Sequence, residues 1–313
     1  MSSSLMKTEE FGHDLRLGQQ PSGGYRSRML DIDADTFGRN FNRNPFVIRH
    51  KLSGHTLFSL SSLIELSKRL PEDCVAYNAG DIPVGQGLYK GPRTGLSIQE
   101  TIRRIEECRS WMVLKFVERD PRYRELLDAC LDEVQQLSEP LAPGMRKREG
   151  FIFISSPGSV TPYHMDPEYN FLLQIRGSKT INIFDGEDRT VLSEEELEPF
   201  YADPAGEYNL SFKEEYRSKA MKFEIAPGAG LHFPATAPHW VENGPEVSIS
   251  FSITFENAAL YRRSIVYTAN SRLRKLGVKP APVGRSALRD SAKFYGFLAL
   301  GRFRRLIKRP ARS

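Results

Sequence analysis

Apolar positions along the chain change their period near residue 150. In residues 120–137, Tyr123, Leu126, Leu127, Cys130, Leu131 and Val134 recur at helical spacing, and the Asp120-Pro121 start is a normal helix entry. Residues 57–70 read as another helix, and Ser97-Ile-Gln-Glu100 has capping-box spacing before an amphipathic run to Cys108. Residues 44–49 and 111–117 read as strands, the second of them buried. These stripes are read as core packing.

From Phe151 the texture turns to short alternating runs at 151–154, 170–174, 180–184, 221–225 and 247–255, separated by turn residues. The pair at 170–174 and 180–184 is joined at Gly177-Ser178, a hairpin signal. Residues 227–243 read as a turn, a short strand, a loop and a further strand that His239 opens. Strands this short and numerous predict an α+β protein with a double-stranded β-helix (jelly-roll, cupin) core, flanked by N-terminal helices and strands. The acidic stretch 185–216 interrupts the core and reads as a solvated loop.

A chain of 313 residues can bury a sizeable core, and one enlarged domain at 31–260 is expected. Residues 1–30 are polar and glycine-bearing, and a mobile segment is expected there. That segment lacks an apolar run of signal-peptide length, and no stretch reaches the roughly 18–20 apolar residues that span a bilayer, so the expected location is cytoplasmic. Cys74, Cys108 and Cys130 lack metal-site spacing and read as reduced, small hydrophobic residues. Charge is uneven: residues 261–313 hold 15 Lys/Arg against the single acid Asp290, giving +14, so the rest of a +5 chain carries −9. In this extension, expected to be helical, Phe294, Phe297, Leu298, Leu300, Phe303, Leu306 and Ile307 interleave with Arg302, Arg304, Arg305 and Lys308. The mixture suits docking on the acidic body of its own or a second copy (a homodimer), or on an anionic membrane surface. Nucleic acid is a third partner, for which no motif is present. A solvated or intramolecular tail is the plainer alternative.

The candidate chemistry centres on His164-Met165-Asp166. Alternate residues of an extended segment share a face, so His164 and Asp166 point together with Met165 opposite. A second imidazole would complete a two-histidine, one-carboxylate triad, which suits non-haem Fe(II) oxygen chemistry. Of the six histidines, His232 and His239 lie downstream. His239, opening a strand, is the better ligand, whereas His232 reads as a strand residue without metal. A dioxygenase using 2-oxoglutarate also needs a cation for the distal carboxylate of that cosubstrate. Residues 247–255, where many such enzymes place an arginine, hold no basic residue, which leaves Lys179 with Arg176 as the fallback.

Residues 151–257 resemble the JmjC (cupin-like) Fe(II)/2-oxoglutarate oxygenases, with the nearest likeness to the subgroup of the asparaginyl hydroxylase of hypoxia-inducible factor. Gly158, Val160, Thr161 and Pro162 before His-x-Asp, Asn170 six residues after the histidine, and the run from Gln174 to Lys179 carry the likeness. So do Pro227, Gly228, Pro234 and His239. The resemblance implies iron ligands at His164, Asp166 and His239, a carboxylate grip from Lys179 and Thr161, and Asn170 lining the cosubstrate pocket. It also implies O2 as co-reactant and an insert that borders the substrate entrance. Ala229 stands where the family commonly has an aspartate, which puts the loop geometry there in doubt, and Thr254 has no assigned role. The expected activity is hydroxylation of a protein side chain or small metabolite, with succinate and CO2 released. N-methyl demethylation, a non-catalytic metal-sensing cupin and a Zn(II) hydrolase are the alternatives. Lys179 counts against the last two, because neither needs a carboxylate anchor.

Overall fold

The computed structural model describes residues 28–87, 91–92, 94–203 and 208–307, with side chains to residue 301. The N-terminal segment up to residue 27 and its expected mobility lie outside the described residues. The first half supplies β1 (Leu30–Asp31), α1 (Ala34–Asn40), β2 (Phe46–His50), α2 (Leu60–Arg69), β3 (Val75–Ala79), α3 (Ile98–Arg103), β4 (Ser110–Lys115) and α4 (Pro121–Ser138). There follow β5 (Arg146–Ser155), β6 (Val160–His164), β7 (Tyr169–Arg176), β8 (Lys179–Ile183), α5 (Glu194–Ala202), β9 (Met221–Ile225), β10 (Ala229–Phe233), β11 (His239–Asn243) and β12 (Ser248–Glu256). Two helices, α6 (Ala258–Lys275) and α7 (Ala287–Ile307), end the described chain.

The helix signals act locally as their chemistry requires. Asp120 accepts the Arg122 N–H at the start of α4, and Pro121 occupies the first turn, where no amide donor is missed. The capping box at Ser97 is only half formed. Ser97 Oγ accepts the Glu100 N–H at 3.2 Å, but the Glu100 carboxylate takes Arg103 instead of the cap amide. The helix stops at Arg103 rather than reaching Cys108; turn residues carry the chain on to Arg109 (φ 46°), where it enters β4. Likewise β4 ends at Lys115, where Phe116 turns left-handed at φ 56°. All three cysteines are unpaired by disulfides, with Cys74 and Cys130 buried.

The strands form two antiparallel sheets, ordered β1-β2-β10-β7-β12-β5-β4-β3 and β6-β11-β8-β9. From β5 onward the chain alternates between them, except that β8 and β9 both lie in the smaller sheet. Mixed helix and antiparallel sheet is therefore the observed class. In β12, Ile249, Phe251, Ile253 and Phe255 join the large cluster under α1, α2 and α4, while Ser248, Ser250, Ser252 and Thr254, also buried, take the opposite face. The space between the sheets thus receives a polar row from β12, and a smaller apolar cluster of Leu172, Ile181, Ile183, Leu231, Phe233 and Val241. The β7–β8 hairpin turns at Gly177, whose φ of 66° and 2.5 Å clearance from the Val247 carbonyl oxygen leave no room for a side chain.

The insert is not a solvated loop. Its apolar residues Val191, Leu192 and Leu197 bury themselves with Tyr163, Met165, Phe184 and Trp240 on the outside of the smaller sheet, and this burial is what orders it. Part of the basic extension packs against it. Arg274 makes two hydrogen bonds to Glu198, at 2.6 and 2.9 Å, and Glu198 is 1% exposed. Thr268 Oγ1 donates to the Tyr201 carbonyl at 2.9 Å, and the Tyr201 and Tyr267 rings stack at 5.2 Å. The Arg274 side chain is 35% exposed, so solvent screens part of the ion pair. Glu198→Ala is expected to lower stability by about 1–3 kcal/mol, read as a lower denaturant midpoint at unchanged slope. Among the described residues, no helix is long and apolar enough to cross a membrane.

Candidate metal centre

Strand β6 ends at His164, and β11 begins at His239 directly across the ladder from it. The two imidazoles lie with ring centroids 4.1 Å apart. Asp166 follows just beyond the strand end, with its carboxylate 3.8 Å from His239 Nε2. One ligand atom from each of the three residues lies within 4.8 Å of the others. Each histidine is oriented through its second nitrogen: Nδ1 of His164 faces the Pro162 carbonyl at 2.7 Å, and Nδ1 of His239 faces the Ala237 carbonyl at 3.0 Å. Donation there leaves Nε2 of both rings bare toward the common point, the arrangement a metal needs. Burial, and then the neighbouring His164, hold the His239 pKa down to about 4. At neutral pH His239 is therefore an uncharged imidazole, the form that could ligate a metal.

A strained turn joins the two arms of the site. Thr236 sits at φ 64°, an unfavourable conformation for a β-branched residue. Its amide donates to the Asp166 carbonyl at 2.7 Å, just before Ala237 supplies the carbonyl that orients His239. No sequence signal marks this threonine. Asn170, on β7, donates to the Asp166 carboxylate at 3.4 Å and accepts from Ser252 at 3.0 Å. It thus steadies the Asp166 carboxylate as well as lining the cavity. Asn170→Ala and Ser252→Ala are each expected to weaken metal affinity about 10–100-fold in calorimetric titration.

Lys179, Thr161 and Asn243 extend the inner face away from this centre. Lys179 is paired in register with Asn243, and Ile183 with His239, so Lys179 lies about 13 Å along β8 from the metal end. It shares with Ile181 and Ile183 the face that builds the inter-sheet cluster. The lysine is 6% exposed, and burial drives its pKa down to about 7. No carboxylate among the described residues pairs with it. Thr161 is buried opposite Val241 on the same face. Arg176, the fallback cation, is exposed at the hairpin end and leaves contention. The corner without arginine is filled by neutral groups: the Gln174 amide donates to the Arg176 and Gly177 carbonyls and to Ser248 Oγ, and accepts from Ser250. The missing aspartate at Ala229 is also compensated. The turn closes through backbone bonds, Gly228 N–H to Gln174 and Ala229 N–H to Ala226.

His232 points to the other side of its sheet. It packs against Phe41, Phe46 and Phe171, with Nδ1 on the Asn170 carbonyl and Nε2 accepting the Asn42 amide. Burial lowers its pKa to about 4, which keeps it a neutral core residue.

A cavity of about 530 Å³ opens beside His164 and Asp166. Glu149, Glu168, Ser252 and Thr254 lie on its sheet side, and Phe200, Tyr201 and Tyr208 of the insert face them. The insert therefore forms a wall of the cavity. Thr254 gains a place there, its hydroxyl donating to the Glu149 carbonyl at 3.2 Å. Glu168 was not foreseen from the sequence; burial, then the Asp166 charge, push its pKa up to about 8.

No family model and no curated protein matches the chain. Among solved structures, ycfD of E. coli aligns over 90% of this chain and 69% of its own at 17% identity and a TM-score of 0.51, a likeness of fold. Another structure of that protein, titled a ribosomal oxygenase in complex with cobalt and 2-oxoglutarate, covers 90% and 68% at 17% identity with a TM-score of 0.47, too low to carry weight. The structural likeness is thus to ycfD, while the resemblance to the asparaginyl hydroxylase subgroup rests on the motifs alone.

Proposed function

We propose that this protein is an Fe(II)- and 2-oxoglutarate-dependent oxygenase of the JmjC type that hydroxylates a substrate C–H bond. In this reading the two sheets from β5 to β12 are a double-stranded β-helix, residues 31–260 form the catalytic domain, and 261–313 form an extension. The observation that carries the reading is the pairing of a two-histidine, one-carboxylate cluster with a buried lysine that no carboxylate among the described residues pairs with, both on the inner face of the smaller sheet. An unpaired ammonium in a dry interior is costly, and a dicarboxylate reaching from the cluster would relieve that cost. The donor set also fits, since two neutral imidazoles and a carboxylate leave facial positions for other ligands.

His164, Asp166 and His239 would hold the iron. Lys179 would take the distal carboxylate of 2-oxoglutarate in a charge-assisted hydrogen bond, with Thr161 adding a neutral one and Asn170 steadying both Asp166 and the pocket edge. The bound metal supplies oxidative decarboxylation coupled to oxygen insertion: substrate C–H, 2-oxoglutarate and O2 become C–OH, succinate and CO2. The chain's own part is to orient the reactants and exclude water. The insert walls the cavity on one side, and Ser252 and Thr254 line it on the other.

The test is protein purified without air, loaded with Fe(II) and supplied with 2-oxoglutarate and O2. Succinate release, together with a one-oxygen mass gain in a component of cell extract, supports the proposal. Formaldehyde release would mark demethylation instead. Tight metal binding with no 2-oxoglutarate turnover would rule out the oxygenase reading.

A further inference from the structure

Large apolar side chains are unevenly exposed on this molecule. Of the nine such residues exposed among the described ones, six lie in the basic extension: Tyr261, Leu276, Val278, Leu288, Tyr295 and Leu300. Leu288 and Leu276 are the most open, at 81% and 79%. In α7 the pattern is two-sided. Ser291, Phe294 and Phe297 turn toward α6, where Arg262 donates to Ser291 and lies over Phe294, and Arg272 lies over Phe297. On the other side Leu288, Ala292, Tyr295 and Ala299 are all exposed, at i, i+4, i+7 and i+11. That spacing makes one continuous apolar stripe.

The charges beside the stripe have one sign. Lys275, Lys279, Arg285 and Arg289 are exposed and make no ion pair among the described residues. In contrast, Arg263 and Arg274 are engaged by Glu187, Glu195 and Glu198 of the insert. Beyond the stripe the sequence continues with Arg302, Arg304, Arg305, Lys308, Arg309 and Arg312, and no acid.

We infer that the outer face of α7, with the turn before it, docks on an anionic lipid bilayer and lies in its interface. The apolar stripe would enter the headgroup–acyl boundary while the flanking cations meet lipid phosphate. Each Lys or Arg near such a surface adds about fivefold to affinity. Nucleic acid would satisfy the cations but leave Leu276, Leu288 and Tyr295 facing phosphate and water. A second copy would offer its acidic body, whose charge matches but calls for no aliphatic stripe. The inference is independent of the oxygenase reading.

The test uses the full chain in sedimentation with vesicles of phosphatidylcholine, with and without phosphatidylglycerol. Binding only to the anionic vesicles, weakened by salt, is expected. Leu288→Asp with Tyr295→Asp should cut it by at least about tenfold, and Arg285→Glu with Arg289→Glu by about as much. These side chains are exposed, so circular dichroism of the variants should match the parent. No vesicle binding, equal binding to uncharged vesicles, or binding indifferent to both double variants overturns the inference. Light scattering that shows a dimer lost in Leu288→Asp, with no lipid binding, would reassign the stripe to self-association.

Discussion

Replacing His164 with alanine is expected to abolish iron-dependent succinate release while leaving the fold intact. His164 ends β6 beside the cavity, so its loss would remove a proposed ligand without opening the main core. Changing partners that merely orient ligands costs about 10–100-fold, so loss of a ligand should exceed that range in kcat/KM. His239→Ala should match it. His232→Ala should show the opposite signature: lower stability from the cavity left among Phe41, Phe46 and Phe171, with metal affinity nearly unchanged. Anaerobic metal titration beside thermal unfolding of the three variants separates the roles. Native turnover in His164→Ala would refute the ligand assignment.

The second large effect falls on Lys179, where two consequences have opposite sign. Without cosubstrate the lysine is buried unpaired, and burial lowers its pKa from 10.5 to about 7. The unfolded chain then binds the extra proton in that window, so stability falls as pH drops from 10.5 toward 7 and levels off below it. Lys179→Met should therefore stabilise the cosubstrate-free protein at neutral pH, by roughly 3–5 kcal/mol if packing is kept. The same change should raise the KM for 2-oxoglutarate by about 30-fold or more, because a buried charge pair loses one partner. In the parent protein only the protonated lysine attracts the dicarboxylate, so affinity should weaken as pH rises above about 7. Unfolding curves and KM values measured from about one pH unit below that value to about two units above it test both arms. Destabilisation together with an unchanged KM would remove Lys179 from the cosubstrate site.

Some of this was readable from residue order and some was not. The convergence of His164, Asp166 and His239 was legible because strand alternation and strand ends dictate which way side chains point. Lys179 was singled out because residues 247–255 offer no cation. The helix at Pro121–Ser138 was announced by its period and its Asp-Pro entry. The insert was misjudged because its acidic surface hides the apolar set Val191, Leu192 and Leu197, which finds its partners only on the far side of the small sheet. Thr236 could not be found, since a left-handed threonine is imposed by tertiary contacts against its own preference. Gln174 was noticed as a motif residue, but its neutral network at the arginine-free corner depends on pairings across β7 and β12.

The Arg274–Glu198 pair and the Tyr201–Tyr267 stack tie one wall of the cavity to a helix that comes later in the chain. Local opening of α5 must break those contacts, so α5 and α6 are expected to open as one cooperative unit. Amide exchange in both helices should then proceed at a shared opening free energy, and loosening α6 should speed exchange at the cavity wall. Whatever steadies the C-terminal helices thereby sets how often the cavity is breached.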